Sequence, residues 1–481
     1  MITHPETDAL YLLIDQGGHS SRALVLDAAG RILARAQSTV TLTRPAPGRA
    51  EYDPPELLDS VRQALQRVAA ALGPRSSAVA AAALAVQRSS VVCWDRENGR
   101  ALSPVLSWLD RRGAAALEGL DPQRVREITG LRRSPHYGAG KLAWCLRHLP
   151  GVTEAAAAGR LVCGPLASFL AYHLCSERPL LTEPGLACRM LLADYRRREW
   201  DAALVQTLGL PPACLPRIVP SDHVWGSMAF AGRGLPLRLL LGDQPASLFA
   251  AGPPDPARIH VNAGSGAFLQ RVFDTPPRPQ GGLLAAPAAS PDTTHMYTLE
   301  GTVNGAANAF DWFDRRQGYA TDWPALLQQP LSDPGPVRFL NGVGGLGSPW
   351  WQPDFVSRFT GTQAGEVSKA QRAQALIESI LFLLRVNLDR LAAAGPAPRE
   401  LLLSGGLSRS DGLCQWLADL AGLPVLRLDE PEATALGLFQ LLRPDGPVAQ
   451  PLQRFTPRAD NPVRARYVDW LAQMPPLPPE D

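Results

Sequence analysis

Two stretches of this chain place small, flexible residues between apolar runs, the pattern that phosphate chemistry needs. Leu10 to Asp27 (LYLLIDQGGHSSRALVLD) and Arg258 to Val272 (RIHVNAGSGAFLQRV) each run apolar, break at a Gly/Ser turn and run apolar again, which reads as a β-hairpin. A turn without Cβ atoms lets backbone N–H groups approach an anion closely. In the first stretch Asp15, at the strand end, offers a carboxylate to a magnesium hydration shell, and Arg22, just past the turn, offers a donor to phosphate. Two such turns half a chain apart predict a duplicated fold that holds polyphosphate between related halves.

The elements that position these turns follow from periodicity. Residues 10 to 40 alternate as strands, and Pro54 to Leu72 has helical spacing with Glu56 in its first turn and Gly73 as its stop. Val79 to Val86 and Ser90 to Asp95 read as strands, with a turn at Glu97 to Gly99, after which strands and helices alternate as in α/β layers. Residues 151 to 240 elaborate the first half, with helix Leu166 to Leu174 and the segment Trp200 to Leu208. The apolar strand Leu237 to Leu241 ends in Gly242-Asp243-Gln244, and Pro253-Pro254 marks a boundary. The second half repeats the logic: the hairpin, helix Ala306 to Arg315, a Pro/Gly-rich stretch from Pro330 to Pro353, and a long helix from Lys369 to Ala394. Strand Leu401 to Leu403 then enters Gly405-Gly406 and the amphipathic helix Gly412 to Ala421, and a last helix is expected in Pro462 to Met474. The expected units are residues 8–247, 248–443 and a tail, 444–481, whose helix packs on the second domain.

Length and composition set bounds. A chain of 481 residues with 46% hydrophobic and 19% charged residues is an ordinary globular protein with room for two cores. A net charge of +2 without a basic stripe argues against nucleic acid or a membrane surface as partner. Lys141 and Lys369 are the only lysines, so arginine carries nearly all positive charge. Seven scattered cysteines with no C-x-x-C pair read as free, buried thiols in a reducing compartment. No basic-then-apolar leader and no apolar run of about 18 residues is present, so a cytoplasmic protein is expected.

Nine motifs in order carry a resemblance. They are DQG-x-x-SSRA at Asp15, VQR at Val86, W-x-DRR at Trp108, GDQ-x-A at Gly242, GSGAF at Gly264, LEG at Leu299, GLG-x-PWW at Gly345, SGG at Ser404 and ATALG at Ala433. From about Tyr11 to about Met474 the chain resembles the FGGY carbohydrate kinases, and within them the glycerol-kinase-like branch. The resemblance implies two actin-like or hexokinase-like (ribonuclease H-like) domains around a deep cleft. It implies ATP bound mainly on the second domain, a polyol or sugar on the first, and transfer of the γ-phosphoryl to a hydroxyl with Mg²⁺.

The resemblance also assigns residues. Asp243, at the strand end in GDQ, matches the carboxylate that takes the hydroxyl proton, and Asp15 matches the residue that orders magnesium through water. Gly17, Ser20, Arg22, Gly264, Ser265 and Gly266 match the phosphate holders. Gly405, Gly406 and Asp411, with Phe310 and Asp311 on the opposing helix, match the adenine and ribose contacts. Arg88, Trp108, Asp243, Gln244 and Phe268 fall where glycerol kinases touch glycerol. Four departures stand out: Gly18-His19 after DQG in place of a hydroxyl residue, Ser89 in place of a glutamate, His136 in place of a tyrosine, and Ser410-Asp411 where relatives favour asparagine. With Ser89 and His136 in the pocket, either the acceptor is not glycerol or glycerol binds poorly, and the smaller Ser89 leaves room for a larger polyol or sugar. The other readings are glycerol kinase proper, a ketose kinase acting on xylulose- or ribulose-like sugars, and a non-catalytic nucleotide-binding regulator on the same fold. The expected partners are a small polyol or sugar and, compatibly with the sequence, further copies of the chain.

Overall fold

The computed structural model describes residues 9–291, 294–318, 320–328, 335–361, 367–428, 432–448, 453–459 and 463–479; the extreme N-terminus, part of the Pro330 to Pro353 stretch and Pro462 lie outside them. The first half is built on strands β1 (Leu10–Gln16), β2 (Ser20–Asp27), β3 (Ile32–Thr39), β4 (Val79–Val86) and β5 (Arg233–Gly242). In the sheet they run β5-β4-β1-β2-β3, with Gly226–Phe230 outside β5. β1, β2 and β3 form an antiparallel meander, while β4 joins β1 and β5 joins β4 in parallel. The second half repeats this plan with β6 (Arg258–Ala263), β7 (Ala267–Phe273), β8 (Met296–Val303), β9 (Glu400–Ser404) and β10 (Val425–Arg427). Here β6, β7 and β8 form the antiparallel meander and β9 and β10 extend it in parallel. The duplication read from the two hairpins is therefore a duplication of whole sheets.

Local sequence explains the helices that cover them. Helix Pro54–Leu72 starts where Asp53 accepts from the Glu56 N–H and ends at Gly73, and it buries Leu57, Val61, Ala64 and Val68 on one face. The long helix Lys369–Ala393 opens with a reciprocal capping box between Ser368 and Gln371. Helices expected at Ala306 and Gly412 begin at Asn308 and Asp411, shifts of one or two residues where hydrogen bonding rather than periodicity sets the start. In the tail, Trp470 of helix Val463–Gln473 donates to the Phe339 carbonyl and Arg466 pairs with Glu378, both in the second half.

One element crosses between the halves. Helix Ala433–Leu442 follows β10 in sequence, yet its Ala435, Leu438 and Phe439 pack in one cluster with Tyr11, Leu13, Leu24 and Leu26 of the first sheet. A Cβ on Gly437 would lie 1.8 Å from the Ala246 carbonyl oxygen, so only glycine allows this helix to meet helix Asp243–Ser247. The helix thus ties the second half to the floor beneath the site.

Candidate active site

Parallel pairing delivers the site residues to one sheet edge. Gln16 at the end of β1 lies beside Val86 at the end of β4, which lies beside Gly242 at the end of β5. Asp15, Arg88 and Asp243 therefore emerge together. In the second half Asn262 of β6 lies beside Ser404 of β9, so the Gly264 to Gly266 turn and the Gly405-Gly406 turn emerge together in the same way.

Both candidate carboxylates are shifted upward in pKa, and the charge of Asp243 is felt at Asp15. Burial, then the charge of Asp243, raises the pKa of Asp15 to about 7, although Arg22 opposes the shift. Burial also raises that of Asp243, opposed by Arg88 at 4.0 Å. Arg22 faces Asp15 directly across the β1–β2 ladder, with Nη1 3.8 Å from Asp15 and 3.4 Å from Glu432. Glu432 stands at the N-terminus of the crossing helix, so both halves contribute to this cluster.

On the acceptor side, Arg88 donates Nη2 to Glu300 at 3.1 Å. Glu300 also accepts two bonds from Arg189, at 2.7 and 2.8 Å, and one from Gln270 at 3.0 Å. Burial alone would raise its pKa, but Arg189 and Arg88 override burial and hold it at about 2. One edge of the Arg88 fork is thus fixed by the second half, and the rest faces Asp243. Trp108, 37% exposed, and His136 meet at a ring distance of 5.7 Å. Burial, reinforced by Lys141, Arg189 and Arg88, drives the His136 pKa well down, so its imidazole is neutral. Ser89 takes a left-handed backbone with φ 64°, and its buried Oγ and the Gln244 Oε1 have no hydrogen-bond partner among the described residues. Phe268, half-buried, lies opposite Thr302 in the β7–β8 ladder.

Lys141 organises this pocket. Its ammonium, wholly buried, donates to the carbonyls of Ser89, Ser107 and His136 at 2.9, 2.8 and 2.7 Å. Those carbonyls belong to the three loops that present Arg88, Trp108 and His136. An ammonium directs its three donors to the corners of a tetrahedron, whereas the donors of a guanidinium all lie in one plane.

The side expected to hold nucleotide is built from backbone. The Gly264 N–H closes the turn onto the Gly266 carbonyl, and the Ala307 and Asn308 N–H groups donate to the Gly264 and Ser265 carbonyls, docking helix Asn308–Gln317 on the turn. Gly405 has φ 90°, and a Cβ there would stand 2.6 Å from both the Ala263 carbonyl oxygen and Asn262 Oδ1. Gly17 similarly donates to the Ser20 carbonyl. Asp311 is exposed beside the turn, whereas Phe310 is buried with its face stacked on Trp323 at 4.4 Å. Asp411 is also exposed, and its carboxylate pairs with Arg427 at 2.5 Å. Phe310 and Asp411 thus already have protein partners.

Family models for the N-terminal domain of the FGGY family of carbohydrate kinases match residues 10–249, and those for its C-terminal domain match residues 260–441. The chain belongs to the FGGY family. It is 34% identical to a glycerol kinase of Alkalilimnicola ehrlichii over 89% of each chain, and 35% identical to one of Thermus brockianus over 89% of this chain and 88% of that one. Its fold matches a Plasmodium falciparum glycerol kinase solved with ADP (TM-score 0.88, 19% identity, 97% of each chain). It also matches a Rhodospirillum rubrum xylulose kinase (TM-score 0.84, 22% identity, 96% and 98% covered). This FGGY protein is an ATP-dependent carbohydrate kinase, a phosphotransferase with an alcohol group as acceptor.

Four residues of the cluster were not legible in advance. Glu300 sat in the LEG motif without a role, Glu432 stood just ahead of the ATALG motif without one, and Arg189 had no motif nearby in sequence. Lys141 did carry a signal, as one of two lysines in a chain otherwise committed to arginine.

Proposed function

We propose that this kinase phosphorylates a polyol or sugar larger than glycerol, with Asp243 as general base. The acceptor lies among Arg88, Ser89, Trp108, His136, Gln244 and Phe268, and the ATP phosphates among Gly17, Ser20, Arg22 and Gly264 to Gly266. The reading rests on Ser89: a small, buried side chain with an unpartnered Oγ stands where glycerol kinases carry glutamate. Losing a carboxylate that accepts from two hydroxyls costs on the order of 1.5 to 3 kcal/mol for glycerol, roughly ten- to a hundred-fold in affinity. A serine in place of a glutamate leaves room for a longer carbon chain, and the buried Gln244 Oε1 and Ser89 Oγ, without partners among the described residues, are the polar atoms its hydroxyls would satisfy.

In the reaction Arg88 and Trp108 orient the acceptor, and Asp243 takes the proton of the attacking hydroxyl. Burial tunes Asp243 toward neutrality, which strengthens a carboxylate as a base. Mg²⁺ fits beside Asp15, because burial and the nearby charge of Asp243 make its ionisation costly and a cation would relieve that cost. When bound, it neutralises charge on the phosphate oxygens. A cytoplasmic setting belongs to the same reading, supported by seven free, buried cysteines.

ADP formation over a panel of polyols, ketoses and glycerol tests the proposal. A longer polyol or sugar should exceed glycerol in kcat/KM at least about tenfold. Glycerol matching the best substrate would return the chain to glycerol kinase proper, the reading its relatives favour, and no turnover on any acceptor would favour the non-catalytic one.

A further inference from the structure

Away from Asp15, Arg88 and Asp243, a second cavity of about 910 Å³ opens between the halves. Residues 122–133 and 195–196 of the first half form one wall, and residues 278–283, Pro349-Trp350 and the tail prolines Pro478-Pro479 form the other. Arg126, Arg132, Arg133, Arg196 and Arg278 line it, and Glu127 is the one acidic lining residue among those described. Five of sixteen lining residues are basic, against 47 of 481 in the chain, so arginine-rich composition does not account for the cluster.

Arg126, Arg132, Arg133 and Arg196 are held in place by protein contacts. Arg126 donates to the Pro279 carbonyl at 2.8 Å, across the halves, and Arg133 donates Nη1 to the carbonyls of Glu118 and Leu120 at 3.1 and 2.6 Å. Arg196 donates to the Glu127 carbonyl. These contacts fix the side chains and leave further N–H donors on each guanidinium. Arg132, exposed, rests on the face of Trp351, 5.4 Å from its centroid. Several like charges gathered in one cavity repel one another, and a multivalent anion reverses that cost.

We propose that this cavity is a second ligand site, taking a small metabolite of the phosphate-ester class with two or more negative charges. Guanidinium forks match phosphate oxygens in pairs, and the volume is enough for a diphosphate-sized group with a short carbon skeleton. Because the walls come from both halves, the bound anion bridges them. Any rearrangement of the halves during turnover is then coupled to its occupancy. The inference is independent of which acceptor the cleft takes.

Calorimetric titration of the whole protein with inorganic pyrophosphate, without magnesium and with ADP saturating the nucleotide loops, tests it. One equivalent should bind with Kd below roughly 100 µM, and Arg132→Ala with Arg278→Ala, both at exposed positions, should weaken it at least about tenfold. The double variant should keep the parent Tm and turnover on the best acceptor. Arg22→Ala, at the phosphate side of the cleft, should leave pyrophosphate binding to the ADP-saturated protein unchanged. Absence of binding under saturating ADP, or binding indifferent to the double variant, overturns the site. Citrate binding more tightly than pyrophosphate overturns the phosphate-ester class.

Discussion

The two halves share a sheet plan, yet they make their parts of the site from different material. In the first half side chains dominate: Arg88, Asp243, Ser89 and His136, held by Lys141 and by Glu300 reaching over from β8. In the second, turns and a helix end dominate, from Gly264 to Gly266 and at Gly405. On the proposed assignment these turns meet the phosphates of ATP together with Ser20 and Arg22 of the first half, and backbone N–H groups suit a ligand part that never varies because they cannot be exchanged for others. Side chains suit the part that distinguishes one kinase from another. On that assignment, equal topology sets where the site is and unequal furnishing sets what each side does.

Several changes break or sharpen this contrast. The largest effect should come from Asp243→Asn, which keeps shape but cannot take a proton: turnover should fall by roughly a hundredfold or more while calorimetric ADP affinity holds. Near-parent turnover on the best substrate would remove Asp243 as the base. Next is Lys141→Met, which strips three carbonyls of their donor at about 1 to 3 kcal/mol for each one left unsatisfied. Acceptor KM should rise at least about tenfold with ATP KM nearly constant, and Lys141→Arg should not restore it. Equal change in both KM values would deny the first half its separate role.

A smaller gain should follow Ser89→Glu with His136→Tyr. Glycerol kcat/KM should rise roughly tenfold by return of a charged acceptor, and the best substrate of the panel should lose by crowding. Loss for both would mean that the left-handed backbone at Ser89 bars the larger side chain.

The smallest effect concerns pH. Asp15 holds its proton to about pH 7 when folded but ionises near 3.8 when unfolded, so the folded state binds the extra proton between these values. Stability from Asp15 is thus full below about pH 4 and lost as pH rises through about 7. Asp15→Asn removes that loss: its Tm should equal the parent's near pH 4 and exceed it near pH 8 by about 2 °C or more. A Tm difference that ignores pH would show that Asp15 is not desolvated in this way.

Much of the fold was readable because its signals are local. Helix Pro54–Leu72 carries its own cap and stop, and strand Val79–Val86 its own apolar run, so both appear where periodicity puts them. The helix Ala433–Leu442 shows the limit. Its apolar residues announce burial but not against what, and only the folded chain sends it back beneath the first sheet.

The candidate site divides in the same way. Asp15 and the glycine turns were visible in sequence because a strand end followed by a tight turn is written in consecutive residues, and Asp243 was visible through the family resemblance of its GDQ motif. Arg88 was visible too, but its engagement was not: Glu300 lies 212 positions away, and Arg189 lies 111 from Glu300. The three carbonyls on Lys141 are 52, 34 and 5 positions from it. By itself the sequence determined the hairpins, the residue types at the strand ends and the family they signal. Tertiary structure alone decided which charges neutralise one another, which pKa values move and which polar atoms stay open to a ligand. Those depend on distance and desolvation between segments far apart in the chain, and neither quantity exists until the chain has folded.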